Sequence, residues 1–374
     1  MIVILGVLLM IYCLLITALC VGFISIDYAK TNKKEPKTTF SICIPFRNEA
    51  ENLPALLDSL SALNYTDGLF EIIFVDDHSN DNSVEIITKF CQENAVFQSK
   101  MTLLNQKSTA NSGKKAALSL AVQRAKNDYI VTTDADCIVP QDWLVEFNAF
   151  IINREKKFVA APVMLFETSS SFLNLFQQLD FFSLQGATIG GFGIKNPFLC
   201  NGANLAFSRS EFFRLGGYTG NQEIASGDDL FLMQKFLADD SESTGYLKSK
   251  NSIVTTQPQE SWRQLINQRK RWAAKASKFK NPIPTFVSWT VFLANIALVL
   301  AVFYLKTSVF LSVIVIFKIL IDFLLIALAA SFFGKKGYLL GYLVSFLVYP
   351  FFTLYIAVSS QLQTFDWKGR RFKK

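Results

Sequence analysis

The sequence predicts an α/β domain with a mostly parallel sheet, flanked by transmembrane helices. Between residues 38 and 280, short apolar runs rich in β-branched and aromatic residues alternate with segments of helical spacing, which is typical of βαβ units. Residues 1–26 contain no Asp, Glu, Lys or Arg, and the chain becomes apolar again after residue 283. This uneven distribution explains an apolar share of 51%, which is high for a wholly soluble protein.

The N-terminal apolar run is longer than the ~20 residues that a helix needs to cross a bilayer. A cleaved signal peptide is the alternative. However, the run lacks a basic start, its apolar part is long, and no obvious small-residue cleavage site follows it. We therefore predict a retained transmembrane anchor over residues 1–28.

The alternating segments define the soluble domain. We expect its elements in the following order: strand 39–46, helix 51–63, strand 70–77, helix 83–91, strand 101–105, helix 114–125 and strand 128–134. The strands are apolar along their whole length, as in a parallel sheet that helices cover on both faces. Further along, residues 171–184 form an aromatic face that suits either a core or a membrane surface, and we favour the membrane.

The C-terminal part, residues 285–360, holds three further candidate spans. They cover residues 285–305, 307–333 and 338–360. In the middle span, Lys318 and Asp322 stand four residues apart and hence on one helical face, where they can pair inside a bundle. A functional role for these charges, a structural pair, and a segment lying at the membrane interface all stay open.

The placement of lysine and arginine predicts which side of the membrane holds the middle of the chain. Lys30, Lys33, Lys34 and Lys37 follow the first span, so the middle of the chain is expected in the cytosol. The basic tail, residues 361–374, favours the same side. Three full C-terminal spans would put the tail on the opposite side, so either one candidate does not cross fully or the rule fails here.

Charge and cysteine usage argue against other classes of site. The six cysteines contain no C-x-x-C pair and do not cluster with His78, the single histidine, which argues against a zinc site and a disulfide framework. We interpret the net charge of +7 as basic residues near anionic lipid. A nucleic-acid partner is therefore not expected.

Acidic residues follow two of the predicted strands. Asp76 and Asp77 end one strand, while Asp134 and Asp136 end another, and ligands of open parallel sheets bind at the carboxyl ends of the strands. Carboxylates suit Mg²⁺ or Mn²⁺, which take the rest of their shell from phosphates and water. Either pair alone could instead cap the following helix.

Seven short segments in a fixed order carry a family resemblance: "SICIPFRNEAENL", "FVDDHSNDNS", "GKKAAL", "TTDADC", "CNGANLAF", "GDDLFL" and "QRKRW". Over residues 38–280 the chain resembles the membrane-bound family 2 glycosyltransferases, whose catalytic domain has the nucleotide-diphospho-sugar (GT-A) fold. The implied division is a GT-A domain over 38–260, an amphipathic interfacial helix with the Q-x-x-R-W motif over 261–283, and the membrane and tail segments above.

The resemblance also implies roles for individual residues. The residues implied in binding the donor are Pro45, Arg47, Glu49, Asp76, Asp77, Lys114, Lys115, Asp134, Ala135, Asn201, Gly202, Gln268, Arg271 and Trp272. Within this set, positions 45, 47 and 49 would shape the first nucleotide-binding loop, Asp76 or Asp77 would contact the nucleobase, and Lys114 or Lys115 the nucleotide. Asp134 and Asp136 would hold the metal and diphosphate.

The "GDD" segment supplies the expected catalytic base. The resemblance assigns this role to Asp229, with Asp228 beside it as a like charge that can raise a carboxylate pKa. A carboxylate facing the acceptor can take the proton of the attacking hydroxyl, and a single displacement inverts the anomeric centre. The alternative is that the two acids simply begin a helix. His78 stands where family members often carry Gly or another small residue. The "SGDD" segment lacks the Glu that many members show before the key Asp, which leaves the role of Asp228 open.

Two other segments also have plainer interpretations. Residues 262–280 contain seven Lys or Arg residues together with Trp262 and Trp272, a pattern that suits a helix lying on anionic membrane. Such a helix could also present Arg271 and Trp272 to a site. The segment containing Asn201 and Gly202 could be a plain turn before a strand.

The sequence thus predicts an inverting, metal-dependent glycosyltransferase in the cell inner membrane, with a cytoplasmic catalytic domain and Mg²⁺ or Mn²⁺ as cofactor. The donor is a nucleotide-diphospho-sugar, with a UDP-sugar as the default. The acceptor is expected to be lipid-linked, and three C-terminal spans favour a single transfer. A processive polysaccharide synthase is the alternative enzyme, and a non-catalytic scaffold that binds a sugar nucleotide is the alternative of another class.

Overall fold

The computed structural model describes residues 1–29, 35–106, 113–167, 169–220, 227–274, 281–362, 365–367 and 370–372. The chain forms two compact units. One unit contains residues 27–166 and 200–257, and we call it the catalytic unit. The other contains residues 1–26, 167–199 and 258–374, and we call it the helical unit.

The catalytic unit is built on a seven-stranded sheet with the strand order β3-β2-β1-β4-β8-β6-β9. Its strands are β1 (Phe40–Phe46), β2 (Phe70–Asp76), β3 (Met101–Asn105), β4 (Tyr129–Thr132), β6 (Phe158–Ala160), β8 (Leu205–Ser208) and β9 (Thr244–Tyr246). The pairs β1–β2, β1–β4, β2–β3 and β6–β9 are parallel, whereas β8 is antiparallel to β4 and β6. The predicted mostly parallel α/β fold is confirmed.

The first strands form where the sequence predicts them because they are apolar throughout. All seven residues of β1 are buried, as expected for a strand covered on both faces. The helices of this unit are α2 (Leu53–Ser61), α3 (Ser83–Glu93), α4 (Ala95–Lys100), α5 (Lys114–Arg124), α6 (Trp143–Arg154), α8 (Arg209–Arg214) and α9 (Asp228–Asp239). Since β2 and β4 both run parallel to β1, their carboxyl ends lie at one edge of the sheet.

A second, three-stranded sheet has the order β5-β10-β7. Its strands are β5 (Cys137–Ile138), β7 (Val163–Leu165) and β10 (Val254–Thr256). Strands of two or three residues are too short for a periodic hydrophobic pattern, so no pattern in the sequence predicts this sheet. It matters for the site because β5 follows directly on the Asp134–Asp136 turn.

The helical unit contains the apolar helices together with the polar, basic helix α10. They are α1 (Ile2–Ser25), α7 (Phe172–Gly193), α10 (Trp262–Ala273), α11 (Pro282–Ala301), α12 (Val309–Phe332) and α13 (Tyr342–Leu362), followed by a short hairpin of β11 (Phe365–Trp367) and β12 (Arg370–Phe372). Four segments in the described part of the chain are long and apolar enough to cross a membrane, namely 2–25, 282–304, 309–332 and 336–361. They coincide with the predicted anchor and the three C-terminal candidates.

Helix α7 belongs to the helical unit, although its sequence falls inside the expected continuous domain of residues 38–260. It approaches α1 at backbone distance: a Cβ atom on Gly190 would overlap the Leu19 carbonyl, and one on Gly193 would overlap the Gly22 carbonyl. Small residues allow such contact between helices in membranes. The aromatic segment 171–184 is thus the first half of a helix that packs with the apolar helices.

Candidate active site

Two loops follow β1 and β2 at the carboxyl edge of the sheet, and polar contacts join them. Arg47 Nη1 donates to the Asp77 carbonyl at 2.7 Å, and Asp76 Oδ1 accepts the Ser79 N–H at 2.9 Å. His78 adopts a left-handed backbone with φ 63°, a conformation that glycine reaches without strain. Its Nδ1 lies 3.4 Å from Asp77 Oδ1. Asp76 therefore holds the turn as well as standing at the predicted nucleobase position.

The loop after Pro45, the sixth residue of β1, is held by side chains from the start of α3. Ser83 Oγ accepts the Glu49 N–H at 2.8 Å, and Asp81 Oδ2 accepts the Ala50 N–H at 3.0 Å. Burial alone would raise the pKa of Asp81, but hydrogen bonds from Ser83 and from backbone N–H groups lower it below its usual value. These contacts give the first predicted nucleotide-binding loop a defined shape.

Lys114 is the cation at the centre of the carboxylate cluster. It is the first residue of α5, and its Nζ lies 2.5 Å from Asp134 Oδ1. Burial opposes its charged form, but Asp134, Asp228 and Asp229 outweigh this effect and raise the pKa of Lys114 above its usual value. Three acids from two distant stretches of sequence thus act on one ammonium group.

Lys115 points to a different neighbour. Its Nζ lies 5.1 Å from the centre of the Phe231 ring on α9, a cation–π contact. The sequence left open which lysine reaches the nucleotide. Lys114 is the one that lies among the predicted diphosphate-binding acids.

Asp134 and Asp136 stand in the turn between β4 and β5. Both carboxylates are half-buried, whereas Ala135 between them is buried. The turn is closed by the Cys137 N–H, which donates to the Asp134 carbonyl at 3.2 Å. Among the described residues, no three His, Cys, Asp or Glu side chains group as a metal site. A divalent cation here would have these two carboxylates as ligands and would draw its other ligands from diphosphate and water.

The segment around Gly202 joins the end of β4 to the "GDD" acids. Thr132 Oγ1 donates to the Gly202 carbonyl at 2.7 Å, and the Gly202 N–H donates to Asp229 Oδ2 at 3.2 Å. A Cβ on Gly202 would lie 3.6 Å from Asp228 Oδ2. The structure therefore brings Gly202, Asp228 and Asp229 together.

Asn201 and Asn204 shape this segment. Asn201 Oδ1 accepts the Ala203 N–H at 3.0 Å. Asn204 is fully buried, accepts from Trp143 Nε1 at 2.9 Å, and donates to the carbonyls of Pro162 and Ser252 at 2.7 Å each. Sequence reasoning did not single out Asn204. The one sequence feature that could have identified it is an amide placed among small and apolar residues just before a strand.

The two acids of "GDD" begin α9, as the plainer interpretation expected. Gly227 precedes the helix with φ 90°, and Asp228 is buried while Asp229 is half-buried. Burial, followed by the negative charge of Asp228, raises the pKa of Tyr218 well above its usual value. Starting a helix does not prevent these acids from forming a site for chemistry, because the charges of both carboxylates act on Lys114.

The "QRKRW" segment lies on α10 in the helical unit. Ser261 and Gln264 form a capping box that begins this helix. Gln268, Arg271 and Trp272 are half-buried, whereas Arg269, which the motif treats as variable, is buried. Arg269 donates through Nε to Asp180 Oδ2 of α7 at 2.7 Å and through Nη1 to Gln268 Oε1, and its guanidinium lies 4.2 Å from the Trp272 ring centre.

Comparison with known proteins agrees with the fold. The profile of "Glycosyl transferase family group 2" matches residues 129–358, more than half of the chain, and that of "Glycosyl transferase family 2" matches residues 41–213. Among solved structures, the chain is similar to the mannosyltransferase PcManGT from Pyrobaculum calidifontis in complex with GDP-Man and Mn²⁺. The TM-score is 0.57 at 17% identity, and the match covers 92% of this chain and 99% of that chain.

Curated relatives match a shorter stretch. The chain is 37% identical over 109 residues to undecaprenyl-phosphate 4-deoxy-4-formamido-L-arabinose transferases of Yersinia pestis (strain Pestoides F) and Yersinia pseudotuberculosis serotype O:3 (strain YPIII). The alignment covers 29% of this chain and 32% of each relative. The chain therefore matches about a third of the length of these relatives.

Proposed function

Because the chain belongs to the family 2 glycosyltransferases, we propose that it transfers a sugar from a nucleotide-diphospho-sugar to a lipid-linked acceptor, with inversion. The observation that carries this proposal is the cluster in which Lys114 meets Asp134, Asp228 and Asp229. It combines a cation for a leaving diphosphate with a carboxylate for an attacking hydroxyl. Transfer of a sugar off a diphosphate requires both groups.

Asp229 acts as the base in this proposal. Its Oδ2 accepts the Gly202 N–H, and its Oδ1 accepts the Leu230 N–H at 2.8 Å, so the carboxylate is held in one orientation. The acceptor hydroxyl attacks the anomeric carbon and loses its proton to Asp229 as the bond to the diphosphate breaks.

Lys114 and the Asp134–Asp136 turn receive the diphosphate. Lys114 offsets negative charge on the leaving oxygens through a charge-assisted hydrogen bond. Asp134 and Asp136 would hold Mg²⁺ or Mn²⁺, and the bound cation supplies further stabilisation of the leaving diphosphate. The PcManGT structure contains Mn²⁺ and GDP-Man, which supports a metal site in this fold.

The donor is proposed to be a UDP-sugar bound against the loops of Arg47, Glu49, Asp76 and Asp77. In the helical unit, Gln268, Arg271 and Trp272 are proposed to contact the diphosphate and the transferred sugar. The loop roles are supported by the motif positions and by the polar contacts that shape both loops, whereas the roles of the three α10 residues rest on the motif positions alone.

A lipid acceptor is supported by two observations. Four helices of the described chain are long and apolar enough to cross a membrane, and the Yersinia relatives are undecaprenyl-phosphate transferases. We propose the inner membrane as the location, with the catalytic unit in the cytoplasm, because lysines follow the first span. An acceptor carried in the bilayer suits a single transfer by an enzyme anchored beside it.

The test is release of free nucleotide by the detergent-purified protein across a panel of nucleotide sugars. Each donor is offered with Mg²⁺, Mn²⁺ or chelator, and with or without total membrane lipid. We expect one donor to release nucleotide only with lipid and cation, and to yield one discrete glycolipid. A ladder of polymer would contradict single transfer, and tight donor binding without turnover in any lipid would contradict the transferase.

A further inference from the structure

Helix α13 is the least apolar of the four candidate spans, and its contacts differ from those of a crossing helix. It is preceded by the turn Lys336–Gly341 and contains Pro350. One face is exposed and apolar over its whole length; its members are Leu343, Leu347, Phe351, Tyr355 and Val358. The contacts at the two ends of α13 indicate where this apolar face lies relative to the two sides of the membrane.

The C-terminal ends of α1 and α12 lie on one side of the membrane, because these two helices run in parallel. Gly6 faces the Phe310 ring near the start of both helices. Further along, the Tyr12 hydroxyl donates to Asp322 Oδ1 at 2.8 Å. Successive contacts thus advance in the same direction along both helices.

Helices α7 and α10 lie at the level of the α12 C-terminus. Phe182 of α7 stacks on Phe333, the residue after α12, with ring centres 5.9 Å apart. Arg269 of α10 pairs with Asp180, two residues before Phe182, at 2.6 Å. These contacts place α10 on the same side of the membrane as the C-terminal end of α12.

Helix α13 starts beside α7, since Gly341 faces the Leu175 side chain and the Tyr338 ring lies 6.1 Å from the Phe182 ring, and the side chain of its first residue reaches deeper into the bundle. The Tyr342 hydroxyl donates to the Ile319 carbonyl at 2.8 Å, and Ile319 lies about 20 Å along α12 from its C-terminal end at 1.5 Å per residue. Near the other end of α13, Lys270 of α10 lies 5.2 Å from the Tyr355 ring centre, and the following strand β11 contacts α10. A helix crossing antiparallel to α12 would instead carry its C-terminus to the opposite membrane side.

We infer that α13 is a re-entrant helix, which enters the bilayer and leaves it on the same side, with its apolar face in the lipid of one leaflet. The chain then crosses the membrane three times, through α1, α11 and α12. The lysines after α1 and the basic tail after α13 share one side, as the positive-inside rule requires. This resolves the conflict between the span count and the charge of the tail.

The test uses single cysteines on either side of α13. Lys306→Cys marks the α11–α12 connection, Lys335→Cys the α12–α13 connection, and Arg370→Cys the segment after α13. The five buried native cysteines are replaced by alanine, and the half-buried Cys200 by serine. A membrane-impermeant maleimide is applied to spheroplasts before and after permeabilisation.

We expect Lys306→Cys to react in intact spheroplasts, and Lys335→Cys and Arg370→Cys to react only after permeabilisation. Reaction of Arg370→Cys together with Lys306→Cys would overturn the inference. Inverted labelling of all three sites would contradict the proposed orientation but keep α13 re-entrant, since sites 335 and 370 would still agree. If the cysteine-free protein does not fold, alkaline phosphatase fused after residue 335 and after residue 374 of the native chain gives the same answer: the two fusions agree in activity if α13 returns and differ if it crosses.

Discussion

Lys114 Nζ lies 2.5 Å from Asp134 Oδ1, and the charges of Asp228 and Asp229 also act on this ammonium group. The "GKK" and "TTDAD" segments are twenty residues apart and the "GDD" segment is almost a hundred further on. The sheet brings them together because α5 starts, and β4 ends, at the same edge. A diphosphate bound there would compete with Asp134 for the ammonium group.

We expect Lys114→Met to lower kcat/KM for the donor by about 100-fold, since one cation of the leaving-group site is lost. Lys115→Met is the matched control. It removes the same charge one residue along the helix, together with the cation–π contact to Phe231, and we expect a loss below about 10-fold. Equal losses in the two variants, measured by nucleotide release, would contradict the assignment of Lys114.

Asn204 is expected to be essential for the stability of the catalytic unit. Asn204→Leu removes three hydrogen bonds and leaves the Trp143 indole N–H and two carbonyls without this partner at a fully buried position. The free energy of unfolding should fall by about 2–5 kcal/mol. Thermal unfolding of the detergent-purified protein measures this, with the exposed Asn153→Leu on α6 as control. A melting temperature equal to that of the control would contradict the role.

The early strands and the acids at their ends could be predicted because each strand is a continuous apolar run and the acids follow directly after it. Strand β2 and helix α3 begin at Phe70 and Ser83, as expected, and Lys114 begins α5. The roles of Asn204 and Arg269 could not be predicted, because their partners Ser252 and Asp180 are 48 and 89 residues away. The unit boundaries around α7 were not predicted either, because the motif order placed residues 171–184 inside the 38–260 domain although their aromatic face favoured the membrane.

Arg269 is expected to act through its neighbours on α10. It joins Gln268 and Trp272 to Asp180, so Arg269→Met should lower kcat/KM by about 10-fold to 100-fold. In a double-mutant cycle with Trp272→Phe, we expect the losses to be non-additive, because both variants disturb one arrangement. The control is Arg263→Met, an exposed residue on the same helix. Additive losses would mean that Arg269 only stabilises the fold.

The Lys318–Asp322 pair is expected to stabilise the helical unit. Lys318 Nζ lies 2.6 Å from Asp322 Oδ2 and 4.5 Å from the Tyr12 ring centre, and Lys318 is buried. Lys318→Met or Asp322→Leu alone should cost about 3–5 kcal/mol, because each leaves one buried charge. The double variant should recover most of this loss in thermal unfolding, with the exposed Lys306→Met as a neutral control. A double variant less stable than both singles would refute a purely structural pair.

The most direct measurement of the central claim is transfer of radiolabelled sugar from the donor into the lipid phase by wild-type protein, Asp229→Asn and Asp239→Asn. Asp229 and Asp239 stand at opposite ends of α9, and Asp239 pairs with Arg214 at the exposed end. The account predicts that Asp229→Asn binds the donor but transfers about 100-fold to 10,000-fold more slowly, while Asp239→Asn behaves as wild type. Transfer by Asp229→Asn at the wild-type rate would contradict Asp229 as the base and the site as proposed.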